Sequence, residues 1–213
     1  MTATDCGHPE HEHNRKKIHR CLFVALVSLI FSILLALLLV WLILRPAKPH
    51  FALQDASVYA FNLSSPNFLT TSLQITLSSR NPNERIGIYY DRIEVYAAYH
   101  SQRITLATRL PPGYQGHKDV TVWSPFLYGT ALPVARYLSA ALEQDEMAGT
   151  VRVNIRVDGR VRWKVGTFVT GKYHLYVNCP AYINFENVSN INNGVVVGSV
   201  MKYPLIMDCQ VDV

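Results

Sequence analysis

The chain has 213 residues, of which 49% are hydrophobic and 16% charged, and it contains four cysteines. This composition excludes an intrinsically disordered chain and a small disulfide-rich scaffold. The net charge of +5 is spread along the chain. A nucleic-acid surface requires a concentrated basic region, so we expect no nucleic-acid partner.

One long apolar segment divides the chain. Residues 21–44 form 24 consecutive uncharged positions, and a helix of that length reaches about 36 Å, enough to cross a hydrocarbon core of about 30 Å. The sequence therefore predicts a single transmembrane helix at 21–44, integral to a lipid bilayer. A basic, histidine-containing head at 1–20 precedes it, and a linker at 45–54 and a domain at 55–213 follow. A cleaved signal peptide is the alternative, but no small-residue cleavage site follows the segment.

The flanking charges predict the orientation of this helix. Four basic residues precede it closely and two follow it: Arg15, Lys16, Lys17 and Arg20 against Arg45 and Lys48. The positive-inside rule then leaves the head in the cytosol and places the C-terminal domain outside the cell. The two glycosylation acceptors, Asn62 and Asn187, both fall on the translocated side, although such tripeptides also arise by chance.

Small residues recur on one side of the predicted membrane helix. Cys21, Ala25, Ser28, Ser32 and Ala36 fall within an arc of about 80°. Such a stripe is a candidate surface for helix self-association, the alternative being small residues that lipid simply tolerates. Cys21 is also a candidate acylation site or an unmodified thiol.

Three histidines in the head, His8, His11 and His13, have the chemistry of metal ligands. A flexible tail has no surrounding groups to orient the imidazole rings, so we interpret this segment as solvated and expect no metal site.

Beyond the linker, apolar and polar residues alternate, which is typical of half-buried β-strands. The clearest stretch runs from Val151 to Val165, and Asp158-Gly159 within it predicts a tight hairpin turn. Its polar side carries five basic residues, which we interpret as a solvated, edge-protecting surface rather than an anion-binding one. Residues 133–142 have helical spacing after a proline.

Further strands are predicted around residues 58–60, 73–77, 93–95, 104–106, 173–177, 195–197 and 202–207, with a polar turn at 100–102. About seven antiparallel strands with one short helix predict a mainly β fold, a β-sandwich. Cys179 and Cys209 are the only cysteines in this part of the chain. Since the compartment is oxidising, we expect them to form a disulfide.

Motifs for catalysis are absent from the sequence. Gly166, Gly171 and Lys172 match the spacing of a phosphate-binding loop, but Tyr173 replaces the hydroxyl residue that holds Mg²⁺, and strands flank the segment on both sides. We interpret it as a turn between strands. No nucleophile elbow, zinc motif or dinucleotide fingerprint occurs, so we expect no catalytic residues, no cofactor and no metal, and the protein is predicted not to be an enzyme.

Two motifs carry a family resemblance. The first is Asn-Pro-Asn-Glu-Arg-Ile-Gly-Ile-Tyr-Tyr-Asp from Asn81 to Asp91, and the second is Gly116-His117-Lys118. Together with Val122–Phe126 and the segment 157–166, they make the chain similar to the harpin-induced, NDR1-like plant membrane proteins of the late embryogenesis abundant group 2 superfamily. The motif residues are Asn81, Pro82, Asn83, Arg85, Ile86, Gly87, Tyr89, Tyr90, Asp91, Gly116, His117 and Lys118.

The resemblance implies a fibronectin-III/immunoglobulin-like sandwich, a plasma-membrane location and a role in pathogen response and hypersensitive cell death. The residues themselves explain Asn-Pro-Asn as a turn, because proline presets φ and asparagine bonds locally; a ligand site is the alternative. We therefore expect a non-enzymatic, membrane-anchored defence protein that meets a protein partner or a second copy of itself and contacts the cell wall. A lipid-handling or stress-protective structural protein is the second hypothesis.

Overall fold

The structure, a computed structural model, describes residues 10–43, 46–64, 66–184 and 207–213. Its helices are α1 (Glu10–Ile43) and α2 (Arg136–Met147). Its strands are β1 (His50–Ser64), β2 (Phe68–Arg80), β3 (Ile86–Tyr99), β4 (Gln102–Arg103), β5 (Thr108–Leu110), β6 (Gly113–Gln115), β7 (Val120–Trp123), β8 (Phe126–Pro133), β9 (Thr150–Val165), β10 (Phe168–Val169), β11 (Tyr173–Asn184), β12 (Met207–Asp208) and β13 (Gln210–Asp212).

Helix α1 is longer than the predicted membrane helix. It begins at Glu10, so the predicted boundary between head and helix at residue 20 lies inside one continuous helix. The segment His19–Leu39 is long and apolar enough to cross a membrane, with a mean hydropathy of 3.1 and none of its apolar window buried. The histidine prediction lies outside the residues whose side chains are described.

The strands form two antiparallel sheets. The smaller contains β12, β1, β2 and β7 in that order, with β8 also paired to β2. The larger runs β13, β11, β9, β3, β4, with β5 and β6 also along β3 and β10 along β9. The apolar side chains of their inner faces form one core cluster, which is the predicted mainly β sandwich.

The sandwich begins earlier than the sequence predicted. Strand β1 starts at His50, and Phe51 and Leu53 are buried in the core. The predicted linker at 45–54 is therefore wrong from residue 50 onward. The alternation signal is weak here because register shifts after Leu53 and Val58 change which residues face inward.

The predicted hairpin at Asp158-Gly159 is wrong. Strand β9 is continuous from Thr150 to Val165, and burial alternates through the dipeptide without interruption. In a two-residue hairpin, Val157 and Arg160 would pair directly and share a face, which would place a cation on the core side. The straight strand keeps Val157 and Val161 inside and Arg160 outside.

Gly159 has a packing reason to be glycine. It lies opposite Ile93 on one side and Leu175 on the other. A Cβ at this position would approach the backbone oxygen of Arg92 to 2.7 Å. The position therefore permits close approach of two strands rather than a reversal of the chain.

The two-residue turn lies elsewhere, between β3 and β4. His100 and Ser101 have φ values of 43° and 73°, the positive values that a hairpin turn of this length needs. The predicted polar turn at 100–102 is confirmed in position. Gly166, with φ of 57°, turns the chain between β9 and β10, so the phosphate-loop spacing belongs to a strand connection, as interpreted.

Helix α2 starts three residues after the predicted helix, because Pro133 is the last residue of β8. Leu138 and Leu142 are buried against the core, so the helix covers one part of the sandwich. The predicted strands at 195–197 and 202–206 lie outside the described residues.

A disulfide joins Cys179 to Cys209, with 4.4 Å between the two Cα atoms. Cys179 is buried in β11, and Cys209 lies between β12 and β13. Since β12 pairs with β1 and β13 with β11, Cys209 sits where the chain passes from the smaller sheet to the larger one. The bond thus fastens this crossing.

We predict that Gly159→Ala lowers the free energy of unfolding by about 1–3 kcal/mol, because the added methyl group overpacks the contact between β9 and β3. Urea unfolding of the full chain in mild detergent, followed by tryptophan fluorescence, measures this. Asp158→Thr is the matched control: a β-branched residue suits an exposed strand position and is strained at positive φ. A similar loss of unfolding free energy for Asp158→Thr would contradict the continuous strand and support a hairpin turn at Asp158-Gly159.

Candidate functional site

The Asn-Pro-Asn motif forms the connection between β2 in the smaller sheet and β3 in the larger one. Asn81 is fully buried, and its Nδ2 donates to the backbone oxygens of Ile86 (2.7 Å) and Gly116 (2.8 Å). Its Oδ1 accepts from the backbone N and the Nδ2 of Asn83, at 3.0 and 2.9 Å. Every donor and acceptor of this amide is used inside the protein.

Asn83 extends this network to the start of the domain. Its Oδ1 accepts from the backbone N of Ala47 at 2.8 Å, and its Nδ2 donates to the backbone oxygen of Ala47 at 2.9 Å. The backbone oxygen of Asn83 accepts from the N of Lys118 at 3.1 Å. The side chain of Asn83 thus pairs with Ala47 much as a neighbouring strand would.

The second motif completes the same corner. Gly116 accepts from Asn81, while Lys118 adopts a φ of 55° and its Nζ lies 3.4 Å from Glu84. The side chain of His117 is exposed. The two motifs, distant in sequence, are therefore one hydrogen-bonded corner of the fold, and we name it the asparagine corner. The side-chain amides of Asn81 and Asn83 form hydrogen bonds within the protein, which favours the turn interpretation over a ligand site.

A buried polar network lies next to the asparagine corner. Tyr90 is 2% exposed, and its hydroxyl bonds to Ser79 Oγ (2.8 Å) and donates to Gln115 Oε1 (2.9 Å). Gln115 Nε2 donates to the backbone oxygens of Ser79 and Asp119. The ring of Tyr90 packs edge-on against Phe51 and Trp123.

Burial raises the pKa of Tyr90, and the bond from Ser79 offsets only part of that shift. The phenol therefore stays protonated at neutral pH and does not act as a base there. Ser79 and Gln115 were not predicted as partners of Tyr90. The only signal for them was a polar residue at an inward-facing strand position, which demands a buried partner.

The remaining motif residues take separate places. Ile86 is in the core, Arg85 is exposed and Pro82 is half-buried. A Cβ on Gly87 would collide with the ring of Tyr114, so glycine lets that ring lie over β3. Tyr114 contacts Tyr89 with 4.7 Å between ring centroids, and Lys164 Nζ lies over both rings.

Asp91 occupies a bulge in β3 and forms a paired hydrogen bond with Arg162 in β9. The register between the strands shifts after Tyr90, and the Asp91 oxygens lie 2.7 and 2.6 Å from Arg162 Nε and Nη2. This hydrogen bond is the main reason why the pKa of Asp91 lies below its usual value, with the charges of Arg162 and Lys172 adding to it. Because the folded-state pKa is lowered, the pair loses its contribution to stability as pH falls through that pKa.

The other predicted sites lie apart from the motifs. Asn62 is exposed near the end of β1, and Asn187 lies outside the described residues. Cys21 is a free, exposed thiol, and the side chains of Ala25, Ser28, Ser32 and Ala36 in α1 are also exposed. Among the residues that the structure describes, no group of three or more His, Cys, Asp or Glu is arranged to hold a metal ion.

Comparison with known proteins identifies the kind of domain first. The family model of late embryogenesis abundant protein matches residues 76–179, which run from the last part of β2 to Cys179 in β11 and include both motifs of the asparagine corner. The β-sandwich that contains these residues is therefore a domain of the late embryogenesis abundant type.

Relatives that align over most of their length define the family. NDR1/HIN1-like protein 1 of Arabidopsis thaliana is 57% identical over 212 residues, covering 98% of this chain and 99% of that protein. NDR1/HIN1-like protein 12 is 52% identical and covers both chains completely, and NDR1/HIN1-like protein 26 is 43% identical over 78% of this chain and 79% of its own. The chain belongs to the NDR1/HIN1-like family of plant defence- and stress-related proteins, whose members are generally not enzymes.

We predict that Asn83→Ala destabilises the protein by about 1–3 kcal/mol, since it removes both bonds to Ala47 and the bond from Asn83 Nδ2 to Asn81 Oδ1. Thermal or urea unfolding of the full chain in detergent measures this. Asn178→Ala is the control, because its Oδ1 has no hydrogen-bond partner in the described part of the chain. Equal stability of Asn83→Ala and the parent protein would contradict a structural role for the asparagine corner.

Proposed function

We propose that this protein is a non-enzymatic, single-pass protein of the plant plasma membrane that acts in pathogen defence and the hypersensitive response. Its head lies in the cytosol, and its β-sandwich is exposed outside the cell, where it binds a protein partner and contacts the wall. The observation that carries this proposal is an exposed apolar helix on a chain 57% identical to an NDR1/HIN1-like protein.

The exposed helix supports membrane anchorage on physical grounds. The segment His19–Leu39 has 21 residues and would extend about 31 Å, close to the thickness of a hydrocarbon core. Its large apolar side chains are exposed, from 46% for Leu35 to 67% for Phe23. An apolar surface of this extent is stable in lipid and unfavourable in water.

Two features support the proposed orientation. The head carries more Lys and Arg near the helix than the segment that follows it, which favours a cytosolic head. The Cys179–Cys209 bond lies in the β-sandwich, and such bonds persist in oxidising compartments outside the cytosol. Both features agree with a domain that has crossed the membrane.

The stripe formed by Ala25, Ser28, Ser32 and Ala36 supports self-association of the helix. These side chains are exposed along α1, and small residues let two helix backbones approach closely in a bilayer. Clustering of this kind would increase the avidity of the exterior domains for a common partner.

The lipid-handling hypothesis gains no support from the space between the sheets. The cavity lined by Val58, Ile75, Val153 and Ile183 has a volume of about 10 Å³. This is about the room of a single water molecule, far below that of an acyl chain. We therefore favour the interaction hypothesis.

Synthesis of the full chain in the presence of microsomes tests the orientation. We expect the β-sandwich to be protected from added protease, and a glycosidase-sensitive gain in mass that Asn62→Gln and Asn187→Gln each reduce. The charge rule also predicts that replacing Arg15, Lys16, Lys17 and Arg20 by glutamine lowers the protected fraction.

The charge control is replacement of Arg45 and Lys48 by glutamine, which should leave the protected fraction unchanged or increase it. Protease protection decides the question, and the sequon variants show which acceptors are used. Digestion of the β-sandwich without detergent would overturn the proposed topology.

A further inference from the structure

The outward side of β9 carries an unusual concentration of positive charge. Five of its side chains are basic: Arg152, Arg156, Arg160, Arg162 and Lys164. From the sequence we interpreted them as a solvated, edge-protecting surface. The structure places β9 between β11 and β3, in the interior of the larger sheet. A central strand has no free edge to protect, so the edge-protecting part of that interpretation is wrong.

Most of this charge is not compensated by ion pairs. Arg162 is paired with Asp91, whereas Arg152, Arg156, Arg160 and Lys164 form no salt bridge with any described residue. Arg160 also lies directly opposite Arg92 on β3, although Arg92 is itself paired with Glu94. Like charges in directly opposite positions destabilise a sheet, so the fold alone does not account for this row.

Two open depressions follow the same line of side chains. One, of about 360 Å³, is lined by Tyr96, Arg156, Asp158, Tyr176, Asn178, Gln210 and Asp212, whose carboxylate is paired with Lys48. The other, of about 160 Å³, is lined by Arg92, Glu94, Asp158, Arg160 and His174. Both are lined by Asp158, so they adjoin along β9, and we name the pair the β9 groove.

Aromatic rings form the walls of the β9 groove. Tyr176 is 52% exposed and stacks on His174 at 5.8 Å between ring centroids. On the opposite wall, Arg103 lies 3.9 Å over the ring of Tyr96. Tyrosine offers a flat apolar surface with a polar tip, and stacking holds these rings in place.

We propose that the β9 groove binds an acidic polysaccharide, a chain of sugar rings that carry carboxylates. Arginine binds carboxylate through two parallel hydrogen bonds, tyrosine packs against the apolar side of a sugar ring, and Asp158 accepts hydrogen bonds from hydroxyl groups. This proposal rests on the proposed function, because such a polymer would be met outside the cell.

The arrangement of charges favours a polymer with separated carboxylates. The two basic side chains of β9 that line the groove, Arg156 and Arg160, lie about 13 Å apart along the strand, more than one small anion spans. Asp158 interrupts the row between Arg156 and Arg160. Double-stranded DNA carries a charge about every 1.7 Å, so the carboxylate at this position would repel it, whereas a polysaccharide can present a hydroxyl there.

The test uses the full chain in nanodiscs of phosphatidylcholine alone, with polygalacturonate as the probe and biolayer interferometry as the measurement. We expect binding that weakens with salt. The double variant Arg156→Gln/Arg160→Gln should weaken it at least about tenfold, because charged hydrogen bonds are lost. Tyr176→Ala should also weaken binding, and the neutral polymer galactan should not bind.

The matched control is Arg85→Gln/Arg136→Gln, which removes the same charge from exposed positions away from the β9 groove. It should change affinity less than about twofold, since surface charge acts weakly at a distance in salt. Circular dichroism confirms that each variant is folded. Equal losses in both double variants, or no loss in the first, would overturn the proposal.

Other polyanions are outcomes of the same test. Tighter binding of single-stranded DNA or of phosphatidylserine vesicles than of polygalacturonate, lost in the Arg156→Gln/Arg160→Gln variant, would overturn the choice of ligand. Binding in nanodiscs is measured independently of the orientation of the protein in a cell membrane. If polygalacturonate does not bind but the β-sandwich is protected in microsomes, only this inference is overturned. If polygalacturonate binds but the β-sandwich is not protected, the proposed function is overturned.

Discussion

The structure depends on the unbroken alternation of β9. Over 16 residues, its odd-numbered side chains face the core and its even-numbered side chains face outward. The inward set lies against the smaller sheet, and pairing with β3 and β11 makes β9 the centre of the larger one. A one-residue slip would exchange valines for arginines in the core. The same alternation places the basic side chains together on one outer surface. The apolar core and the basic surface therefore both follow from it.

The two sheets are held together at two of the places where the chain passes between them. Asn81 and Asn83 hold the passage from β2 to β3 with amide hydrogen bonds that also include Ala47 and Gly116. The Cys179–Cys209 bond holds the passage from β12 to β13. The Asn-Pro-Asn motif is thus explained by the geometry of this passage between the sheets. Family membership does not itself locate a binding surface. The β9 groove is distinguished by its basic side chains and by its position on the central strand of the larger sheet.

Much of the architecture follows from local patterns, and the errors have physical reasons. Alternation identified the long strands, and spacing identified α2. The Asp-Gly dipeptide suggested a turn because both residues tolerate positive φ, yet the parity of Val157 and Arg160 already opposed one. His100 and Ser101 make the actual turn although neither is glycine. The start of β1 was missed because bulges break its alternation. The contact between Asn83 and Ala47 could not be predicted, because Asn83 bonds to backbone atoms and any residue type could supply them.

Amide hydrogen exchange of the full chain in nanodiscs tests the central claim most directly. A continuous β9 has its backbone amides bonded to β3 and β11, so residues 157–161 should exchange as slowly as the neighbouring strand residues. The turns at His100-Ser101 and Gly166-Thr167 provide internal references for exposed amides. Slow exchange through Asp158 and Gly159 is the predicted result. Exchange there as fast as in the two reference turns would contradict the account.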